Sequence, residues 1–212
     1  MGNNTSITEH KRHYYRELLC IGVPIIIGQL GTIILGFADT LMIGHHSTEE
    51  LAAAGLVNNI ITFFLVSYMG FSYGLTPIIG RLYGMEKTDE IGQKVKNSFF
   101  ANMVVGVIFS LALIILYFNL HRIGQPEELL ALIRPYFIVN LVSVLFVGVF
   151  NTLKQFLDGI GNTKVAMWVM IMGNIVNIFG NWVLIYGVGP CPEMGLLGAG
   201  ISTLASRVLM AV

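Results

Sequence analysis

Long apolar stretches recur along this chain, and their length leaves few folds open. They cover about 18–43, 51–79, 98–118, 129–153 and 165–186, and a sixth starts near Gly195 and continues to Val212. A helix needs about 20 mainly apolar residues to cross the hydrocarbon of a bilayer. Only helices and closed barrels satisfy their own backbone polar groups there. Each stretch therefore predicts a spanning helix, and the expected fold class is an all-α membrane protein with six transmembrane helices. The segments between them, HHSTEE, YGMEKTDEIGQK, NLHRIGQPEE, KQFLDGIGNTK and GVGPCPEMG, hold most of the charge and many helix-ending Gly, Pro, Asn and Asp residues. Only 11% of residues are charged, against about 25% in soluble domains.

Lys and Arg set the expected orientation. With the N-terminus inside, the inner side takes Lys11, Arg12, Arg16, Arg81, Lys87, Lys94, Lys96, Lys154 and Lys164, and the outer side takes Arg122 and Arg134. That bias predicts a cytoplasmic N-terminus for a multi-pass protein of the plasma (inner) membrane. Residues 1–17 read as a cytoplasmic N-terminal segment and 18–212 as the helical lobe. The first segment lacks the short apolar region and small-residue cleavage site of a signal peptide. Net charge is zero, so no basic field for nucleic acid is expected. Cys20 and Cys191 read as small apolar fillers at opposite membrane surfaces.

One acidic residue, Asp39, falls inside an apolar span. A carboxylate at the centre of a bilayer costs roughly 2.5–3.5 kcal/mol on insertion scales. Packing alone explains it poorly, because Ser or Asn would pack as well without a charge. Asp39 is therefore expected to hold a cation, either a proton or a metal ion such as Na⁺. Gln29, Thr32, Gly36 and Asp39 step by three and four and share one helix face. Asn174, Asn177 and Asn181 do the same in the fifth helix. Asn carbonyls are hard oxygen ligands, but Asn is also interhelical glue, and spacing leaves both readings open. Ser202, Thr203 and Ser206 by themselves favour packing. Asn58, Asn59, Thr62, Asn140, Ser143 and Asn151 either line a wet cavity or satisfy one another. The His45–His46 pair reads as loop, and Tyr68, Met69 and Trp182 as core or lipid contacts that could also face a substrate. No HExxH, GxSxG or P-loop is present, so the chain reads as no enzyme and as needing no organic cofactor. An ion gradient is the economical energy source.

In series, these segments resemble a known family. VPIIIGQLGTIILGFADTLMIG with LAAAGL, GLTPIIGRLYGMEK, FLDGIGNTK, GNIVNIFGNWVLIYG and MGLLGAGISTLASR are similar, in order, to the N-terminal half of the multidrug and toxic compound extrusion (MATE) transporters. The resemblance implies one lobe of a two-lobed antiporter that exports organic cations and other amphipathic compounds against Na⁺ or H⁺. It also implies a cation site at Asp39, Asn177, Asn181 and Thr203. Gln29, Thr32, Gly36, Asn58, Thr62, Asn140, Asn151, Asn174 and Ser202 are the candidate cavity lining. Some relatives carry a carboxylate where this chain has Asn181, which weakens the case for a purely proton-driven scheme.

The expected partners are the bilayer, an amphipathic substrate and a second six-helix lobe. The last residues, LASRVLMAV, sit mid-span and suggest a fragment or truncated reading frame. Two alternatives compete with the antiporter. One is a flippase for a lipid-linked saccharide, which would need cationic residues in the cleft, where only Arg207 and marginally Arg134 could serve. The other is a half-size fragment that transports nothing alone.

Overall fold

The computed structural model describes the backbone of residues 3–212 and the side chains from residue 15 onward. His10, Lys11, Arg12 and His13 lie outside the described side chains. The described chain is helical, without a strand: α1 (Asn3–His46), α2 (Thr48–Ser72), α3 (Leu75–Gly84), α4 (Thr88–Phe118), α5 (Glu127–Gly159), α6 (Thr163–Tyr186) and α7 (Gly195–Ala211), with a short 3₁₀ turn at Leu120–Ile123. Five helical segments are long and apolar enough to cross a membrane, counting α2 and α3 as one, and α7 is a shorter apolar helix of 17 residues.

Several boundaries differ from the sequence expectation. The expected second span breaks after Ser72 and resumes at Leu75. Most of the expected loop before 98 is the first turns of α4, with Asp89 and Glu90 at its positive N-terminal end. A helix does not stop where its side chains turn polar; it continues into the interface. The HHSTEE segment reduces to Ser47, whose extended backbone and hydroxyl cap α2 by accepting from the amides of Glu49 (3.2 Å) and Glu50 (3.4 Å).

α5 is the central post, packed against α2, α3, α4 and α7, while α1 packs chiefly on α6 and α6 on α7. Two groups result, α1–α6–α7 and α2–α3–α4–α5, joined mainly through α5 and α7. α1 and α6 run in parallel. The Thr163 hydroxyl donates to the Ile21 carbonyl at one end (3.1 Å), and the Tyr186 hydroxyl to the Met42 carbonyl at the other (2.9 Å). α6 ends on Gly187 in the left-handed conformation, where an added Cβ would sit 2.7 Å from the Glu193 amide nitrogen. That tight reversal brings Glu193 back to the end of α1. There His46 places one ring nitrogen 2.8 Å from Glu50 and the other 2.8 Å from Glu193. His46, read from sequence as loop, is therefore a clamp across three elements. Cys20 is exposed on α1 and Cys191 is half-buried in the α6–α7 loop; both are free thiols.

The apolar core lies between α2, α4 and α5, around Val57, Tyr68, Leu113, Phe137 and Val144. Tyr68 is fully buried here, so it is a core residue and not part of a substrate surface. Its hydroxyl donates to the Asn102 carbonyl (2.8 Å), and its ring fills the space over Gly106 and Gly148. Beside it, Asn102 donates to Thr152 (2.7 Å) and accepts from Ser72 (3.0 Å), tying α4 to α5 and α2. The outer surface carries large apolar side chains, among them Ile33, Phe37, Phe63, Phe100, Ile115, Trp168 and Phe179. Such a surface suits lipid and not water. Replacing Asn102 with Ala removes two interhelical bonds within apolar packing and is expected to cost about 1–2 kcal/mol. Thermal unfolding in detergent checks this, with Asn119→Ala, whose amide bonds only its own exposed helix end, as the milder comparison.

Candidate functional site

Between the two helix groups lies a cavity of about 500 Å³. α1 contributes Gln29, Thr32, Gly36 and Asp39; α2 contributes Asn58, Thr62 and Met69; α5 contributes Tyr136, Asn140, Asn151 and Lys154. α6 adds Asn174 and Asn177, and α7 adds Thr203, Ser206 and Arg207. The structure thus brings the expected lining residues around one cavity, with one correction. Ser202 is buried behind it, its hydroxyl donating to the Asn177 carbonyl (2.8 Å) where Gly180 leaves room on α6. Trp182 and Phe63 are exposed outside the cavity lining.

Asp39, Asn177, Asn181 and Thr203 come together at the α1–α6–α7 junction. The Asn181 amide donates to Asp39 Oδ1 at 2.5 Å and to Asn177 Oδ1 at 3.1 Å. The Asn177 amide donates to the hydroxyls of Thr203 (3.1 Å) and Ser206 (3.4 Å). Asn177 and Asn181 are fully buried. Among the described residues no Lys, Arg or His nitrogen lies within 4.0 Å of Asp39.

Two features of this cluster are chemically unfinished. Asn181 Oδ1 is buried without a hydrogen-bond partner. Asn177 Oδ1 stands 3.0 Å from Asp39 Oδ1, so two acceptors face each other. Turning the Asn177 amide over would let its nitrogen donate to Asp39 at 3.0 Å and its oxygen accept from Thr203. It would also set the amide nitrogens of Asn177 and Asn181 face to face at 3.1 Å. Each orientation leaves a like pair in contact at this cluster: oxygen against oxygen at Asp39 when unturned, nitrogen against nitrogen at Asn181 when turned. Facing oxygens are what a carboxyl proton bridges, or what a cation draws together. The donor set of carboxylate, amide carbonyls and hydroxyl is hard oxygen chemistry that fits a small monovalent cation.

Other polar groups support the wall. Tyr136 donates to Asn58 Oδ1 (3.0 Å), and the Asn140 amide donates to the Tyr136 carbonyl (3.0 Å). Lys154 is paired with Asp158 at 2.6 Å, both nearly buried. Sequence reading left Tyr136 unremarked and placed Lys154 in a loop. The signal was available: Tyr136, Asn140, Val147, Asn151 and Lys154 recur at helical spacing along one face of α5.

The apolar spans, the lipid-facing surface and the polar interior define a multi-pass α-helical membrane protein. The MatE family model matches residues 24–183, and the chain belongs to the MatE family. It is 33% identical over 201 residues to the probable multidrug resistance protein NorM of Photorhabdus laumondii, covering 93% of this chain and 44% of that one. It is 28% identical over 192 residues to the multidrug resistance protein MdtK of Klebsiella pneumoniae, covering 89% and 41%. Its fold is similar to that of a MOP superfamily transporter from Pyrococcus furiosus (TM-score 0.79, 23% identity, 92% of this chain and 42% of that chain). A MATE structure in a bent conformation gives TM-score 0.82 at 23% identity, over 93% and 43%. The chain therefore spans less than half the length of the relatives it matches.

The Asp39–Asn181 bond is open to a double-mutant cycle. Asn181→Leu alone leaves the carboxylate without its donor and is expected to cost about 1.5–3 kcal/mol. Adding Asp39→Leu is expected to recover part of that loss, read as thermal stability in detergent.

Proposed function

We propose that this chain is the N-terminal lobe of a secondary antiporter that exports amphipathic organic cations in exchange for Na⁺ or H⁺. In this reading it lies in the plasma membrane with its N-terminus in the cytoplasm. Asp39, Asn177, Asn181 and Thr203 form the site for the coupling cation. The observation that carries the reading is the oxygen-rich cluster itself: a carboxylate in the spans with no basic nitrogen within 4.0 Å among the described residues, set against the amides of Asn177 and Asn181, with the buried Asn181 oxygen left without a partner. A proton or Na⁺ arriving there neutralises Asp39 and gives those oxygens a partner. The names of the NorM and MdtK relatives support a multidrug role for the complete protein.

Asp39 is shared by two surfaces, since it both lines the cavity and closes the α1–α6–α7 junction. When the cation is bound, the carboxylate is held toward α6. When it leaves, the negative charge is available to a cationic substrate in the cavity. Exchange follows because the two occupants have different affinities for the two arrangements. A second lobe completes the cleft, and alternation comes from one lobe rocking against the other. The flippase alternative draws on little here: Lys154 is already paired and Arg134 is exposed away from the cavity. Only Arg207 remains for an anionic substrate.

The test is gradient-driven efflux of ethidium from proteoliposomes containing the full-length protein. Asp39→Asn is expected to abolish dependence on an imposed Na⁺ or H⁺ gradient, lowering efflux at least tenfold. Efflux that keeps its full gradient dependence in Asp39→Asn contradicts the proposal.

A further inference from the structure

The cavity holds three charged side chains: Asp39, Lys154 and Arg207. Lys154 is neutralised by Asp158 at 2.6 Å. The other two have no opposite charge within 4.0 Å among the described residues, and they attract each other only at longer range within the cavity. Among the described residues no carboxylate oxygen lies within 4.0 Å of the Arg207 guanidinium. Its one hydrogen bond is from Nη1 to the Ser143 hydroxyl, at 2.5 Å.

A guanidinium has five N–H donors in a planar fork. One short bond to a neutral hydroxyl leaves most of that capacity unspent. Ser143 is itself fixed, with its hydroxyl 2.6 Å from the Asn140 carbonyl on the same helix. Arg207 is therefore held in place on α7 by α5, partly buried, with its remaining donors at the cavity wall. Within a membrane-spanning segment an unpaired cation is costly and is retained where it meets a partner. A structural role would be met by a carboxylate neighbour, as it is for Lys154. Arg207 has only the more distant charge of Asp39, which leaves its fork of donors open to a partner that comes and goes.

Resting on the reading of this cavity as the substrate site, we infer that Arg207 is its anion-recognising position. Together with Asp39 it makes the cavity amphoteric, suited to an amphipathic substrate carrying a carboxylate or similar oxyanion as well as a cationic group. Arg207 takes the oxyanion through two parallel N–H donors, a geometry that Lys cannot reproduce. Asp39 faces the cationic end. A purely cationic substrate uses Asp39 alone and gains nothing from Arg207.

A matched pair of dyes separates these contributions. Rhodamine 6G is a cationic ethyl ester, and its parent acid is a zwitterion with the same ring system. Their affinities are measured by fluorescence anisotropy with the full-length protein in nanodiscs, and the quantity read is the ratio of acid to ester affinity. Wild type is expected to favour the acid, and Arg207→Gln to lower the ratio at least tenfold. Arg207→Lys, which keeps the charge and helps preserve folding, is expected to fall between them. An unchanged ratio in Arg207→Gln overturns the assignment of Arg207 while leaving the substrate cavity standing. Wild type that binds neither dye overturns the cavity reading, and the assignment with it.

Discussion

The lobe depends on how it keeps one carboxylate inside a bilayer. Among the described residues Asp39 has no Lys, Arg or His nitrogen within 4.0 Å, and is attracted by Arg207 only from farther off in the same cavity. It has a buried amide from Asn181 at 2.5 Å, which is a charge-assisted bond and stronger than a neutral one. One such bond does not replace the hydration a carboxylate loses on burial. The facing oxygens of Asn177 and Asp39 make the shortfall local and visible.

The rest of the fold reads as support for that junction. α1 can lie close along α6 because Gly28 and Gly31 face Met170 and Asn174, where an added Cβ would come within 3.2 Å and 3.0 Å of side-chain atoms. α7 sits close to α6 because Gly198 lies against the Leu184 carbonyl, with an added Cβ only 2.6 Å from that oxygen. The His46 clamp ties the ends of α1 and α2 to the α6–α7 loop. A second, closed polar knot at Asn102 fixes the opposite group of helices. The contrast between the two polar clusters is informative. The Asn102 knot has its amide oxygen and nitrogen both paired, as a structural network should. The Asp39 cluster leaves the buried Asn181 oxygen unpaired.

Much of this was legible in the sequence, for identifiable reasons. Asp39 stood out because charge in an apolar run is expensive; Asn177 and Asn181 share a face by helical spacing, but only the resemblance to MATE transporters singled them out as ligands. The break after Ser72 was marked by Gly74 and by Pro77, which has no N–H to continue the ladder from α2, but the unbroken apolarity across it masked the signal. The charged first turns of α4 were hidden because water hydrates a helix as readily as a loop. Ser202 was misplaced by one helical step: it shares the Ser–Thr pair with Thr203, yet adjacent residues point in different directions and only Thr203 reaches the cavity. Lys154 and His46 were assigned to loops because their roles rest on partners distant in sequence or on a helix extending past its apolar part. The polarity of Arg207 was readable, but that it lacks a carboxylate partner was not, because pairing is a property of the packed structure.

The central claim is that a cation exchanges at the Asp39 carboxyl. Difference infrared spectroscopy of the full-length protein in lipid observes that group directly as Na⁺ or pH is varied. The account expects a carboxyl or carboxylate band that shifts with cation occupancy and is lost in Asp39→Asn. Cation-induced spectra that are the same in wild type and Asp39→Asn would contradict it.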